Sequence, residues 1–160
     1  MSTARRFEDL EIWQGARDLR KRIYALAPAL RRDPLLAQDM RWNSVSVMNG
    51  IAEGFERGSD REFSQFLKVA RGSLGELRSE LSVAGDAKYI DAAEYASLKE
   101  RCEILAARIT RLIAYLESRA SKRTRGVRLP EEQWESDDRR RADDFRRKTG
   151  DDVRRGTGDE

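Results

Sequence analysis

The sequence predicts an all-α protein that folds as an antiparallel, up-down-up-down four-helix bundle. Apolar residues recur at spacings of three and four in four successive blocks, which is the pattern of amphipathic helices. The connections between the blocks are short, so consecutive helices are expected to pack antiparallel. At about 1.5 Å per residue, each predicted helix spans roughly 30–40 Å. Four such helices of similar length suit a single bundle.

The first two helices are predicted from stripes of apolar residues. The first stripe runs from Ile12 to Leu30, and we expect this helix to end before Pro34. The second begins near Leu35 and ends around Gly58. Its middle is a weaker helix signal because it contains three polar residues: Asn43, Ser44 and Ser46.

The third and fourth helices each begin with a capping box, a pair of residues that satisfy free backbone N–H groups at a helix start. Ser59 with Glu62 opens the third helix, whose apolar stripe ends near Ala84. Asp91 with Glu94 opens the fourth. The fourth helix has the most regular stripe: Tyr95, Leu98, Cys102, Leu105, Ile109, Leu112 and Leu116.

The domain organisation follows from where this pattern stops. We expect the bundle to occupy residues 7–120 and a disordered, Arg/Asp-rich tail to occupy residues 121–160. The tail contains 12 basic and 11 acidic residues but only six apolar ones. So little apolar surface cannot offset the conformational entropy lost when a backbone is ordered. A solvated tail that keeps the protein soluble and a tail that touches RNA through its arginines are both open.

Composition excludes several kinds of chemistry. The chain has no histidine and one cysteine, so the usual zinc sites, histidine-based catalytic triads and intramolecular disulfides are excluded. No secretory leader opens the sequence and no apolar run could span a bilayer. We therefore expect a cytoplasmic protein with no membrane contact. The net charge of +3 permits nucleic-acid binding without requiring it.

No residue set predicts a reaction. Glu53, Glu76 and Glu80 lie beside the core stripes, and paired carboxylates can hold a metal or move protons. The di-metal pattern of bundles needs Glu-x-x-His, however, and surface ion pairs explain these residues adequately. Cys102 falls on a core stripe and is predicted to be a buried apolar group. We expect no enzyme activity, no cofactor and no small-molecule substrate.

Two pairs of glycines inside predicted helices need a reason, because a mid-helix glycine costs about 1 kcal/mol relative to alanine. Gly50 and Gly54 lie on the second helix, and Gly72 and Gly75 on the third. Close packing of a neighbouring helix and contact between copies of the chain are the two explanations. Trp13 is expected at the height of Gly54, where its indole would pack over the missing side chain.

Basic residues on two helices are candidates for contact with nucleic acid. They are Arg17, Arg20, Lys21 and Arg22 on the first helix and Arg101, Arg108 and Arg111 on the fourth. An ordinary solvated helix face explains the same residues without any ligand. Trp42 and Tyr89 are either interface aromatics or half-buried residues at the ends of the bundle.

Several short motifs are informative together: residues 7–14 (FEDLEIWQ), 51–55 (IAEGF), 62–63 (EF), 66–67 (FL), 70–74 (ARGSL), 76–77 (EL) and 89–90 (YI). In this order they resemble the motifs of a bacterial four-helix bundle family, the 23S rRNA intervening-sequence proteins. The resemblance covers residues 7–118. Residues 46–50 (SVMNG) depart from the family pattern, because they lack its proline and have Gly50 where the family usually has asparagine.

The resemblance implies a non-enzymatic homo-oligomer, a pentamer in several members, and a distant relation to the accessory bundle protein of diversity-generating retroelements. That relative binds nucleic acid and a reverse transcriptase, which adds Arg71 to the candidate contacts. Two functions remain open. One is an oligomeric module that binds RNA or an RNA-processing partner through a basic surface. The other is a structural or protein-interaction module with no nucleic-acid contact.

Overall fold

A computed structural model describes residues 4–126 of the chain, with side chains as far as residue 121. The four predicted helices are confirmed, and the described residues contain no strand. A short 3-10 helix, Phe7–Asp9, precedes them. The helices are α1 Glu11–Ala25, α2 Pro34–Glu56, α3 Asp60–Asp86 and α4 Ala92–Gly126. α4 thus continues past residue 120, and the rest of the predicted tail, 127–160, lies outside the described residues.

The first helix is shorter than its apolar stripe predicts. It ends at Ala25 and is followed by turns through residue 32. Pro28 is the physical reason, because it has no N–H to donate and its ring would clash with the carbonyl of Tyr24. Leu26 and Leu30 are nevertheless buried, so the turns still cover the end of the core.

Pro34 begins α2 instead of only ending the segment before it. Proline suits the first position of a helix because the N–H that it lacks has no partner there. Asp33 is the N-cap, and its Oδ1 accepts a hydrogen bond of 3.0 Å from the Leu36 amide. This cap places the start of α2 one residue before the predicted start.

Side-chain caps also open α3 and α4. The Ser59 hydroxyl accepts from the Glu62 amide at 3.2 Å, and it donates to the Glu62 carboxylate at 2.6 Å. The Glu62 carboxylate therefore binds the Ser59 hydroxyl and not, as the capping box predicts, the Ser59 N–H. Asp91 Oδ1 accepts from the Glu94 amide at 2.8 Å. Both helices begin where the sequence predicts.

The helices form an antiparallel ring in the order α1, α2, α3, α4. Partner numbers fall along one helix as they rise along its neighbour, which is the sign of antiparallel packing. Between α3 and α4 the bonded pairs are Ser64 with Glu117, Arg71 with Thr110 and Arg78 with Glu103. Between α2 and α3 they are Asn43 with Glu80 and Ser46 with Ser73. Asp18 and Arg101 join α1 to α4, which closes the ring.

The core contains apolar stripes from all four helices, as predicted. Its largest fully buried side chains include Ile23, Met40, Leu74, Leu98 and Ile109. Three polar residues are buried with them, Asn43, Ser44 and Ser64, and each has a hydrogen-bond partner. No helix in the described part of the chain has the length and apolar character needed to cross a membrane.

Candidate nucleic-acid interface

The surface of α1 has two sides that flank its buried stripe. Helical spacing places Gly15, Asp18 and Arg22 on the side next to α4. It places Trp13, Arg17, Arg20 and Tyr24 on the side next to α2. The predicted basic residues of α1 therefore divide between two neighbouring surfaces, and these surfaces differ in their chemistry.

On the α4 side, one carboxylate binds two arginines. Asp18 Oδ2 accepts from Arg22 Nε at 3.4 Å and from Arg101 Nη1 at 3.0 Å. Both pairs are exposed, so each contributes little to stability. Asp18 and Arg101 line a shallow groove of about 230 Å³ together with Gly15, Ile104 and Arg108. Asp18, which no sequence motif marks as a candidate, thus reduces the positive charge of this groove.

Further along α4, two basic side chains stay unpaired within the described residues. Arg108 and Arg111 are exposed and make no ion pair with the described carboxylates. They share one side of the helix with Arg101 and the exposed Ile104, since residues three and seven apart lie on the same side. On α1, Lys21 is exposed and unpaired in the same sense.

On the α2 side, arginines stack on aromatic rings. The guanidinium carbon of Arg17 lies 5.8 Å from the Trp13 ring centroid. Those of Arg20 and Arg41 lie 4.8 Å and 5.5 Å from the Tyr24 centroid. Such contacts are cation–π interactions, which hold a guanidinium in place without neutralising its charge. The Arg20 Nε is buried and has no hydrogen-bond acceptor among the described residues.

An open hollow of about 480 Å³ continues this side onto α2. Tyr24, Pro34, Gln38, Arg41, Trp42 and Val45 line it. Trp42 is 75% exposed, which identifies it as a surface aromatic. Tyr89, by contrast, is half-buried against the core. The sequence alone does not distinguish these two environments, and it does not single out Arg41, whose position beside Tyr24 depends on how α2 is rotated against α1.

Arg71 lies apart from the other candidates. Its Nη1 donates to the Thr110 hydroxyl at 3.2 Å, on the side where α3 meets α4. Basic residues there mostly face acidic partners, such as Lys68 with Glu117 at 2.7 Å and Arg78 with Glu103 at 3.1 Å. The Lys68 ammonium and the Ser64 hydroxyl lower the pKa of Glu117. This side is thus an ordinary surface of mixed charge.

The two glycine pairs have different surroundings. A Cβ on Gly50 would lie 3.1 Å from Ala70 Cβ, and one on Gly54 would lie 2.7 Å from Phe66 Cβ. These glycines let α3 approach α2. The atoms nearest to a Cβ on Gly54 belong to Phe66 and Phe63 of α3 and not to the expected Trp13, whose ring packs edge-on against Phe7 with centroids 5.3 Å apart. A Cβ on Gly72 or Gly75 would meet nothing within 4 Å among the described residues.

The remaining candidates for chemistry are explained by packing and ion pairs. Glu53 accepts from Arg57 at 2.7 Å. Partial burial raises the pKa of Glu80, although the hydrogen bond from Asn43 at 2.6 Å opposes this, and nearby Asp39 and Glu76 raise it further. Burial raises the pKa of the Cys102 thiol to about 12. Among the described side chains, no three metal-ligating groups lie together.

Comparison with known proteins supports the fold and gives the family. The chain is similar to a crystal structure from Bacteroides thetaiotaomicron, described as a protein of unknown function from the S23 ribosomal protein family. The two share 17% identity with a TM-score of 0.60, over 64% of this chain and 97% of that one. No curated protein sequence matches the chain. The family model described as "23S rRNA-intervening sequence protein" matches residues 8–111, and the chain therefore belongs to this family.

Proposed function

We propose that the protein is a non-enzymatic, self-associating bundle that binds RNA electrostatically through the arginines of α1 and α4. The observation that carries this proposal is that most of the seven candidate basic residues on these two adjacent helices have no acidic partner among the described residues. Within the described residues, only Arg22 and Arg101 pair with a carboxylate, and they share Asp18. The other five keep their charge for an external anion. Guanidinium groups suit phosphate because they form forked hydrogen bonds with it.

Structured ribosomal RNA is the first ligand to test, because the family is described by reference to 23S rRNA. Binding that neutralises phosphates releases counterions, so the affinity must fall steeply as salt rises. We expect an R108Q/R111Q variant to lose at least about tenfold in affinity at low salt, and its salt slope to fall by about one to two. Fluorescence anisotropy at 50 and 200 mM salt measures both quantities.

A matched control removes the same charge elsewhere. Arg57 and Arg78 already pair with Glu53 and Glu103, so an R57Q/R78Q variant changes the net charge equally but removes no unpaired arginine. It should bind RNA much as the unsubstituted protein does. Equal losses of RNA affinity in the two variants would mean that only the net charge matters. An RNA affinity that does not change with salt would contradict the proposal. An oligomer that does not bind RNA at either salt concentration would instead support a structural or protein-interaction module.

Self-association is proposed on the outer side of α3. Val69 is 62% exposed there, and helical spacing places Gly72 and Val83 on the same side. The open space at Gly72 leaves room for another copy to approach closely. Light scattering after size exclusion should give a defined oligomer, with a pentamer as the expected number. V69E should dissociate it, because the new charges would be desolvated in the contact. A monomer at micromolar concentration would refute this part.

A further inference from the structure

The side where α1 meets α2 combines aromatic and basic groups in a way that the α1–α4 side does not. We call the set Trp13, Arg17, Arg20, Tyr24, Arg41 and Trp42 the aromatic–arginine face. None of its three arginines lies within 4.0 Å of a carboxylate among the described residues. The lining of its hollow contains no acidic residue. The face therefore presents uncompensated positive charge next to exposed aromatic surface.

We propose that this face binds single-stranded RNA, with an unpaired base stacked on Trp42 and the adjoining phosphates held by Arg20 and Arg41. This inference rests on the proposed RNA binding and assigns the form of RNA and the surface that recognises it. Arg41 and Trp42 line one hollow of about 480 Å³ together with Tyr24, and Arg20 stacks on the Tyr24 ring. Base and backbone would thus be contacted together.

Tyr24 has a positioning role in this arrangement. The guanidinium carbons of Arg20 and Arg41 lie 4.8 Å and 5.5 Å from its ring centroid, so one ring positions both arginines before any ligand arrives. Groups fixed in advance lose less conformational entropy on binding.

Trp42 selects the single-stranded form. Its indole is 75% exposed and has no aromatic partner among the described residues. Bases in a duplex are paired and stacked on each other, so a protein aromatic ring can stack only on a base that is unpaired. Without Trp42, the two arginines would bind the backbone of either form. A protein partner fits less well, because covering the face would desolvate arginines that have no carboxylate within 4.0 Å among the described residues.

The test uses the full chain with three probes: a 12-nucleotide oligouridylate, an RNA duplex of the same length and inorganic polyphosphate. We expect the single strand to bind more tightly than the duplex. W42A should lower single-strand affinity by about 5- to 100-fold, W42F should retain most of it, and polyphosphate binding should not change. R20Q/R41Q should weaken all three. L35A is the control, since Leu35 is another large exposed residue of α2, at 73%.

The outcomes separate this inference from the proposed function. If W42A binds oligouridylate as the unsubstituted protein does while R108Q/R111Q weakens it, the face is refuted and electrostatic RNA binding stands. If no RNA binds at any salt concentration, both the aromatic–arginine face and the proposed RNA binding are refuted. If W42A changes the oligomer mass and not RNA affinity, the face is a contact between copies and the inference is wrong. Because Trp42 and Leu35 are exposed, neither variant should unfold the bundle, which circular dichroism checks.

Discussion

Gly54 and Gly72 place the same residue type in opposite environments. A side chain at Gly54 would meet Phe66 and Phe63 at 2.7 and 2.9 Å, whereas one at Gly72 would meet open space. The sequence identified both as costly helix residues that need a reason. It could not say which glycine faces a neighbour, because that depends on the rotation of each helix about its axis.

These surroundings predict opposite effects of alanine. G54A should destabilise the bundle by about 1–3 kcal/mol, because Phe66 Cβ is fixed to its own backbone and α3 itself must shift. G72A should instead stabilise the protomer by up to about 1 kcal/mol through helix propensity. Urea denaturation of both variants measures the difference. Equal effects of the two substitutions would contradict the packing described here.

The candidate basic residues were predicted from exposure and type, and their locations on α1 and α4 agree with the helical pattern. Their partners were not predictable. Asp18 binds Arg22 on its own helix and Arg101 on another, and Arg41 joins Arg20 at Tyr24 across two helices. A pair within one helix can be read from spacing, but a pair between helices requires their register.

At the scale of the helices, the starts of α3 and α4 follow the capping residues closely, whereas the end of α1 does not follow its apolar stripe. Leu26 and Leu30 continue the stripe in spacing and are buried, but the segment that carries them is a series of turns. Pro28 is the residue in the sequence that indicates this end of the helix. Apolar periodicity reports which residues are buried and is a weaker guide to where the backbone leaves the helix.

The polar middle of α2, which weakened the sequence prediction, is a contact with α3. Asn43 is buried and donates to Glu80 Oε1 at 2.6 Å, while the Glu80 Oε2 atom is buried with no partner among the described residues. Ser46 and Ser73 lie 2.9 Å apart between the same helices. Polar residues in a core stripe thus fix how two helices meet.

A pH dependence follows from this contact. Because the pKa of Glu80 is raised in the folded state, the folded chain holds a proton that the unfolded chain has lost. Stability from this group is therefore complete below the ordinary glutamate pKa of about 4.5 and falls as pH rises through the raised value. E80Q keeps the acceptor for Asn43 without the charge, so it should be the more stable protein at pH 7.

Denaturation of both proteins between pH 4 and pH 7 tests this. The advantage of E80Q should grow with pH and vanish at the acidic end. E100Q is the control, since Glu100 is exposed and is not among the groups that shift the pKa of Glu80. The ion pair of Glu117 works in the opposite direction, because its lowered pKa costs stability as pH falls, but it is common to all three proteins. A constant difference between E80Q and the unsubstituted protein would contradict the prediction.

For the whole molecule, the fold class was predictable because four amphipathic stripes with short connections leave few ways to bury the apolar surface. Each helix contributes buried apolar residues to a common core, and neighbours along the chain are neighbours in the ring. The surfaces between helices were less predictable. Whether they bind RNA or another copy depends on side chains from two helices at once, as the aromatic–arginine face illustrates.

The bundle should be complete without the residues after Ser121, where its compact unit ends. The last buried residue in the described part of the chain is Leu116. A chain that ends at Ser121 should therefore melt within about 2 °C of the full chain. A chain that ends at Arg108 loses Ile109, Ile113 and Leu116, a loss of roughly 5–9 kcal/mol of apolar burial, and should not melt cooperatively.

Circular dichroism melting of the two truncated chains provides the comparison. A large loss of melting temperature on removal of residues 122–160 would mean that these residues support the bundle. A cooperative transition in the shorter chain would mean that the core is smaller than the buried residues indicate.

The single cysteine can report how often the bundle opens. Cys102 is fully buried, and its thiol reacts only as a thiolate, a form that burial disfavours. A thiol-reactive dye in solution must therefore wait for the helices to separate before it can label the chain. The rate of labelling in the absence of denaturant measures how often this happens, and a ligand that clamps the helices together would slow it. The labelling rate of this buried thiol would thereby report the proposed binding of RNA or of another copy.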